Sequence, residues 1–340
     1  MATIFVTGGA GFIGSNFIRY WLETHPDDRV INYDLLTYAG NLENLKGVPE
    51  QYGERYLFVR GDIANYHLTR HLFEQHRPQW VVNFAAESHN SRALLHPEIF
   101  FQTNVLGTQQ LLQAALDAGV PRFHHISTCE VYGDLPLDSD ERFREDSPYR
   151  PRTPYNASKA AADMAARAYY HTFGLAVTIS NCANNYGPYQ FPEKLIPHFA
   201  TRLLQRQPIP LYRSSRNRRE WLHVLDHCRA IDLILHHGKP GETYNIGSDF
   251  EADIETIADL LLEFFGLDAS YKTYVEDRPG HDRRYLLDAG KIRSELGWQP
   301  QIEFHAGLRD TLAWYRQNVW WWQPLLARLE INEAGWGNKG

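Results

Sequence analysis

The sequence predicts an α/β fold built around a doubly wound parallel sheet, with a smaller α/β lobe in the C-terminal half. Short apolar segments alternate with helical patterns, a glycine-rich turn follows the first apolar segment, and this rhythm changes after about residue 186. Such alternation is typical of parallel strands joined by helical crossovers. The predicted strands are 3–7, 29–33, 56–59, 80–84, 122–127 and 176–180, and the helical patterns include 15–24, 64–76, 105–118 and 156–173.

Two lobes are expected, one from residues 1–186 and one mainly from residues 187–340. Prolines and dense charge interrupt the alternation at 187–188, 191–192, 197, 213–220 and 276–284. The chain contains no internal repeat and no linker long enough to separate independent domains. Some C-terminal segments are therefore expected to return to the large lobe.

The composition excludes several classes of partner. The net charge of -7 gives no basic surface for nucleic acid, and no apolar run approaches the roughly 18–20 residues that span a bilayer. The three cysteines are scattered and show no metal-binding spacing, and no leader pattern follows Met1. We expect a cytoplasmic protein with reduced thiols, no metal and no membrane partner.

The first strand runs into a turn, Thr7-Gly-Gly-Ala-Gly-Phe-Ile-Gly14, with the dinucleotide-binding spacing Gly9-x-Gly11-x-x-Gly14. The same turn also satisfies the wider glycine spacing 8, 11, 14. A side chain there would keep a pyrophosphate away from the amides at the helix N-terminus. Asp34 ends the next strand, twenty residues after Gly14. Its carboxylate can accept hydrogen bonds from a ribose diol and would repel a 2′-phosphate, which predicts a Rossmann-type lobe that binds NAD.

Two other strand ends are expected near this cofactor. Gly61-Asp62-Ile63 places a carboxylate where an adenine amine would lie, although a turn cap is an alternative role for Asp62. The run Asn83-Phe-Ala-Ala86 closes a further strand with small residues, as close packing against a cofactor requires.

Tyr155 and Lys159 are four residues apart and are expected on one face of a helix. The lysine charge is expected to lower the pKa of the phenol from about 10, and the amine can hold a nicotinamide ribose. A phenol tuned in this way can take a proton from a substrate hydroxyl while the adjacent carbon loses hydride.

These motifs resemble the extended short-chain dehydrogenase/reductase superfamily, and most closely its nucleotide-sugar 4,6-dehydratases of the dTDP-glucose 4,6-dehydratase type. The resemblance covers roughly residues 2–316. The segments that carry it are 7–14, 36–42, 85–89, 127–133, 155–159, 181–189, 191–197, 241–247 and 277–285.

The resemblance implies a lyase in which NAD is regenerated within each turnover. Tyr155 would remove the proton of the sugar 4-hydroxyl as C4 loses hydride, and Thr128 would hydrogen-bond the resulting ketone. Glu130 would then take the C5 proton, and the residue at position 129 would protonate the departing 6-hydroxyl. Hydride return to C6 gives a 4-keto-6-deoxy sugar. The expected substrate is a dTDP- or UDP-linked hexose.

The motifs and the resemblance together predict the site. The catalytic residues are Thr128, Cys129, Glu130, Tyr155 and Lys159. Cofactor contacts are expected from Gly8, Gly11, Phe12, Ile13, Gly14, Asp34, Thr37, Asp62, Ile63, Ala85, Asn104, Tyr155, Lys159 and Asn185. Substrate contacts are expected from Ser88, His89, Asn184, Lys194, Arg219, Asp253, Arg278 and His281. A homodimer through the helices at 105–118 and 156–173 is also implied, although core packing alone would explain their apolar faces.

The sequence departs from the family pattern at several positions. Cys129 stands where an aspartate acid is usual, Ser91 replaces another aspartate, residues 213–218 replace a glycine-rich approach to Arg219, and Asp253 replaces an asparagine near the nucleotide. Cys129 has three readings: a small neutral substitute, the acid of a 4,6-dehydration, or a sign of different chemistry. A thiol with a pKa of about 8.5 is mostly protonated at neutral pH, so it can act as an acid.

Three other functions remain open. The Thr-Cys-Glu triplet is similar to that of the UDP-N-acetylglucosamine 5,6-dehydratase of tunicamycin biosynthesis, in which hydride returns to C4 and an exocyclic 5,6-alkene survives. A 4-epimerase would keep Tyr155 and Lys159 but would not require Glu130. A binding protein without catalysis would be expected to lose Tyr155, Lys159 or Glu130, and all three are present.

Overall fold

The computed structural model describes residues 2–277, 280 and 282–329, so the predicted contacts of Arg278 and His281 lie outside the described residues. The strands are β1 (Thr3–Thr7), β2 (Arg29–Asp34), β3 (Tyr56–Arg60), β4 (Trp80–Asn83), β5 (Arg122–Thr128), β6 (Val177–Cys182), β7 (Asn184–Tyr186), β8 (Ile209–Tyr212), β9 (Arg218–His223), β10 (Thr243–Ile246), β11 (Glu251–Asp253) and β12 (Lys272–Val275).

The α-helices are α1 (Phe12–Thr24), α2 (Val48–Tyr52), α3 (Tyr66–His76), α4 (Asn90–Leu95), α5 (Pro97–Phe100), α6 (Thr108–Asp117), α7 (Pro154–Phe173), α8 (Leu195–Leu204), α9 (Val224–His237), α10 (Ile254–Phe265), α11 (Gly290–Leu296), α12 (Phe304–Gln317) and α13 (Val319–Trp322). A π-helical segment, Phe101–Gly107, joins α5 to α6.

Seven parallel strands form the central sheet in the order β10-β6-β5-β4-β1-β2-β3. Because the chain moves outward from β1 to β3 and then returns to place β4 on the other side of β1, the carboxyl ends of β1 and β4 border a crevice. The predicted doubly wound α/β fold is therefore confirmed.

Alternate residues of β1 supply the cores on the two faces of this sheet. Ile4 and Val6 pack in one cluster with side chains from α1 and α9, whereas Phe5 packs in a second cluster with side chains from α3, α6 and α7. This follows from the period of two along a strand. Helices on both faces account for the nearly continuous burial of the central strands.

The C-terminal half divides between the two lobes. Strands β7, β9 and β11 form a three-stranded sheet, β8 pairs with β12, and helices α8, α10 and α12 enclose a separate apolar cluster with them. Strand β10 instead joins β6 in the large sheet, and α9 packs against α1. Among the residues that the structure describes, no helix combines the length and apolar character needed to cross a bilayer.

Candidate active site

Two clefts meet above the carboxyl ends of the central strands. The first, called the sheet cleft, is lined by the glycine turn, the ends of β2, β4 and β5, and the start of α7. The second, called the lobe cleft, lies against α8, β8 and β9 of the small lobe. The residues that line both clefts are Ser88, Glu130, Asn184, Glu193 and Lys194.

The glycine turn leaves no space for side chains at three of its positions, Gly8, Gly9 and Gly14. Gly8 has a positive φ of 66°, and a Cβ there would lie 2.6 Å from the Ala85 amide nitrogen. A Cβ on Gly14 would lie 2.4 Å from the Gly8 carbonyl oxygen. At Gly11, by contrast, the nearest atom to an added Cβ is the Gly8 oxygen at 3.2 Å, so the surface above Gly11 is open to a ligand.

Asp34 closes the sheet cleft at the end of β2. Its two carboxylate oxygens accept hydrogen bonds from the backbone amides of Ala10 and Leu36 at 2.8 and 2.7 Å. Burial raises the pKa of Asp34, and these two donors oppose that effect. The carboxylate is thereby fixed beside the glycine turn, and its remaining lone pairs can accept from a ribose diol. The glycine turn and Asp34 together fit an NAD molecule.

Thirteen of the predicted cofactor residues line the sheet cleft, and Asn104 does not. They are Gly8, Gly11, Phe12, Ile13, Gly14, Asp34, Thr37, Asp62, Ile63, Ala85, Tyr155, Lys159 and Asn185. Asn104 is buried in the π-helical segment, where its amide bonds the backbone of Glu87 and the hydroxyl of Ser158. It therefore braces the loop after β4 and the first turns of α7.

The five predicted catalytic residues come together at one end of the sheet cleft. Thr128 ends β5, and Cys129 and Glu130 open the 3-10 turn that follows it. Tyr155 and Lys159 lie on α7, whose N-terminus is capped by Thr153. The sheet thus delivers the hydroxyl, thiol and carboxylate, and the helix delivers the phenol and the amine.

The predicted lowering of the Tyr155 pKa is wrong for this structure. Burial, followed by the nearby charge of Glu130, raises the pKa of this phenol well above 10, while a hydrogen bond with Thr128 opposes the rise. Lys159 donates to the Ile126 carbonyl oxygen at 2.7 Å, and burial lowers the pKa of its amine. The cost of burying a phenolate dominates this pKa, and the spacing of Tyr155 and Lys159 alone did not reveal that burial.

Cys129 is 2 % exposed and packs with apolar neighbours that include Val131 and Tyr132. Burial, and then the charge of Glu130, raises the pKa of its thiol well above 9.0. The thiol is therefore protonated at neutral pH. It lines the sheet cleft, so the side chain can either donate a proton there or serve only as packing.

The predicted substrate residues separate into two groups. Ser88, His89, Asn184, Lys194 and Arg219 line the lobe cleft. Asp253 lies outside this lining and caps α10, because its side chain accepts a hydrogen bond from the Thr256 amide at 2.7 Å.

Arg219 and Lys194 are among the cationic side chains that line the lobe cleft. The Arg219 guanidinium donates to the Asp282 carbonyl oxygen at 2.7 Å and stacks 4.6 Å from the Tyr285 ring. Lys194 donates to the Ser88 carbonyl oxygen at 2.7 Å. These contacts hold both positive charges in the lobe cleft, which suits a cleft that receives phosphate oxygens.

The structure adds residues that the sequence did not single out. Glu193 lines both clefts and accepts a hydrogen bond from Tyr38 at 2.9 Å, and burial raises its pKa. Tyr285 lines the lobe cleft, and Asp282, which bonds to it, is 1 % exposed with a pKa raised by burial to about 6. The adjacent Arg283 and Arg284 are typical of a solvated segment, so residue type alone does not predict this burial.

Comparisons with known proteins agree with this geometry. A family model described as GDP-mannose 4,6 dehydratase matches residues 5–311. A dTDP-glucose 4,6-dehydratase of Salmonella typhimurium is 46% identical over 341 residues, covering 94% of each chain.

Solved structures of nucleotide-sugar enzymes superimpose on most of this chain. A dTDP-glucose 4,6-dehydratase of Streptomyces venezuelae, solved with NAD bound, superimposes with a TM-score of 0.91 at 49% identity and covers 95% of this chain and 99% of its own. A UDP-glucose 4-epimerase of Thermotoga maritima, solved with UDP-glucose, has a TM-score of 0.86 at 29% identity, covering 93% of this chain and 99% of its own.

Proposed function

Since the chain belongs to the GDP-mannose 4,6-dehydratase family, we propose that this NAD-dependent hydro-lyase converts dTDP-glucose to dTDP-4-keto-6-deoxyglucose. The observation that carries the proposal is the convergence of the two clefts at Glu130, next to the phenol of Tyr155. A hexose at this junction would face the cofactor on one side and have its diphosphate in the lobe cleft.

The sheet cleft would hold the cofactor through residues of the large lobe. The glycine turn offers the amides at the start of α1 to a pyrophosphate, Asp34 accepts from the adenosine ribose, and Lys159 lies where the second ribose is expected. NAD, when bound, accepts the hydride from C4 and later returns it. The protein must then position the sugar and move its protons.

Tyr155 is the proposed base for the 4-hydroxyl of the sugar. This role requires the phenolate, so the positive charges of the Lys159 amine and of bound NAD would have to offset the burial that raises the phenol pKa. The phenol is nearly buried, lines the sheet cleft, and shares a hydrogen bond with Thr128. The Thr128 hydroxyl can therefore exchange its hydrogen bond with the phenol for one to the C4 oxygen as a carbonyl forms there. A ketone at C4 makes the C5 hydrogen acidic, which prepares the elimination.

Glu130 and Cys129 are proposed to remove water across C5 and C6. Glu130 takes the C5 proton, the C5–C6 double bond forms as the C6–O bond breaks, and the protonated thiol of Cys129 gives its proton to the departing oxygen. The proton held by Glu130 then returns to C5 as hydride reaches C6. A protonated buried thiol at neutral pH supports this role.

A 5,6-dehydratase is the second candidate, because the Thr128-Cys129-Glu130 triplet is similar to that of the tunicamycin-type enzyme. It would use the same oxidation and elimination but would return hydride to C4. A 4-epimerase needs no acid and base at C5 and C6, so the placement of Glu130 at the junction of the clefts argues against it.

Recognition of the nucleotide diphosphate is proposed for the lobe cleft. Arg219 presents a guanidinium that can bind phosphate oxygens in a bidentate manner, and Lys194 adds a second charge. Asn184, which lines both clefts, is placed to contact the sugar, with Ser88 and His89 nearby. Asp253 serves as a helix cap, so a contact with the base would have to coexist with that role.

A cytoplasmic homodimer completes the proposal. Exposed apolar side chains lie on α7 and on the π-helical segment against which it packs, namely Met164, Phe173, Phe101 and Leu106. Their exposed fractions range from 42% for Phe101 to 58% for Leu106. A second copy packing on this face would cover them.

The test is incubation of the purified enzyme with dTDP-glucose, UDP-glucose and UDP-N-acetylglucosamine in separate reactions. The proposal expects a 4-keto sugar from dTDP-glucose, with no net consumption of NAD. Absence of any product from all three, while NAD stays bound, would contradict it.

A further inference from the structure

Asn90, which lies outside the predicted catalytic set, contacts the candidate base Glu130, and Thr153 contacts Asn90. Resting on the proposed function, we infer that Asn90 is a positioning residue that, held by Thr153, aims the Glu130 carboxylate at C5 of the sugar. The Asn90 amide nitrogen donates to a Glu130 oxygen at 2.7 Å, and the Thr153 hydroxyl donates to the Asn90 amide oxygen at 2.6 Å.

The direction of each hydrogen bond is fixed by its partners. Thr153 caps α7, so its oxygen accepts from the Asn156 amide at 3.2 Å and its single proton is free to point to Asn90. The amide oxygen of Asn90 therefore faces Thr153, which leaves the NH2 group facing Glu130. An ionised carboxylate only accepts hydrogen bonds, so this orientation of the amide suits the base form of Glu130.

This chain of contacts ties the base to the element that carries the phenol. Glu130 follows β5 and comes from the sheet, whereas Tyr155 lies in the first turn of α7, two residues after Thr153. Through Asn90, the carboxylate is held by the N-terminus of α7. The carboxylate must reach C5 while the phenol reaches the 4-hydroxyl. A shared support keeps the distance between these two groups constant, and this matters because small displacements of reacting groups slow a reaction strongly.

An amide is chemically suited to this task. It fixes the carboxylate through a hydrogen bond and adds no positive charge of its own. The charge of Glu130 raises the pKa of nearby acids among the described residues, including Cys129, Tyr155, Cys182, Asp282 and Tyr285. Asn90 thus supplies a neutral donor to a carboxylate that has several acidic neighbours.

The test compares Asn90→Asp and Asn90→Ala with wild type, using dTDP-glucose in deuterium oxide. Aspartate keeps the shape but cannot donate and places a carboxylate against Glu130. Loss of a hydrogen bond to a charged group predicts exchange at C5 about 10- to 100-fold slower, with the larger loss in Asn90→Asp. Oxidation at C4 continues, so reduced cofactor accumulates in a single turnover, and KM changes less than about threefold.

Asn65→Asp is the matched control. Asn65 caps α3, where aspartate is also a good cap, and lines neither cleft. It should exchange C5 at the wild-type rate. Exchange at the wild-type rate in Asn90→Asp would overturn the inference, as would equal losses of oxidation and exchange, because a general structural defect would affect both steps.

A second measurement does not depend on the substrate. Urea unfolding of Asn90→Ala, Glu130→Ala and the double variant should be non-additive if the contact exists in solution, and additive changes would contradict it. If wild type oxidises none of the three nucleotide sugars, the proposed function is wrong. The contact of Asn90 with Glu130 is then still tested by these unfolding measurements, which need no substrate.

Discussion

Replacing Gly11 by alanine places a methyl group on the open surface of the glycine turn, where the cofactor pyrophosphate is expected. The added Cβ would meet only the Gly8 oxygen, at 3.2 Å, so the protein itself can accommodate it with a small shift. Gly14→Ala differs, because its Cβ would lie 2.4 Å from that oxygen and 2.8 Å from the Gly9 Cα. One substitution therefore tests the ligand surface and the other tests the packing of the turn.

The expected magnitudes separate the two variants. Gly11 is the N-cap residue of α1. For Gly11→Ala, the lower conformational entropy of the unfolded chain stabilises the fold by about 0.4–1 kcal/mol and offsets the poorer helix cap, so the free energy of unfolding should change by less than about 1 kcal/mol. For Gly14→Ala, overpacking of about 1–3 kcal/mol exceeds the benefit of up to about 1 kcal/mol from alanine in a helix. Displacing a phosphate from one charge-assisted hydrogen bond should weaken NAD binding about 10- to 100-fold in Gly11→Ala.

The assay combines urea unfolding with the NAD content and NAD affinity of the purified variants. Gly11→Ala should fold like wild type but retain little NAD, whereas Gly14→Ala should lose both stability and NAD. Wild-type NAD affinity in Gly11→Ala would refute the placement of the pyrophosphate over Gly11. Wild-type stability in Gly14→Ala would refute the tight packing of the turn.

The remaining predictions concern single side chains. Tyr155→Phe should slow C4 oxidation at least about 100-fold in a single-turnover absorbance assay, and normal turnover would remove Tyr155 as the base. Glu130→Gln should still oxidise C4 but lose C5 deuterium exchange, so undiminished exchange would exclude Glu130 as the C5 base. Cys129→Ala should slow dehydration about 100-fold, whereas full activity would leave the thiol with a packing role alone. Leu106→Arg should shift the protein to monomers in analytical ultracentrifugation; an unchanged mass would place the subunit contact elsewhere. Burial raises the pKa of Glu220 from 4.5 to about 7. The contribution of Glu220 to stability is therefore fully present below pH 4.5 and is lost as the pH rises to 7. Between these pH values, the free energy of unfolding in urea should fall by about 3 kcal/mol more in wild type than in Glu220→Gln, and parallel pH profiles would contradict this.

Periodicity in the sequence was sufficient for the central sheet but not for its last strand. Six apolar segments matched β1 to β6 because each is followed by a helical pattern or a turn. Strand β10, Thr243–Ile246, has four residues and follows the proline-rich part of the chain. Its place beside β6 depends on long-range pairing, which local pattern does not encode.

The candidate site, like the central sheet, could be predicted only in part from the sequence. Spacing predicted that Tyr155 and Lys159 act together, and the family resemblance added Thr128 and Glu130. The structure brings these residues together because strand ends and helix starts meet above a parallel sheet. The raised pKa of Tyr155 depends on burial, and the contact of Asn90 with Glu130 joins residues forty positions apart, so neither follows from a motif.

The fate of the hydride tests the central claim most directly. Reaction with dTDP-glucose carrying deuterium at C4, followed by NMR of the product, reports which carbon receives it. The account predicts a 6-methyl group that carries the deuterium, beside a C4 ketone. Deuterium retained at C4 together with an exocyclic alkene pair would contradict 4,6-dehydration and identify the 5,6-dehydratase instead.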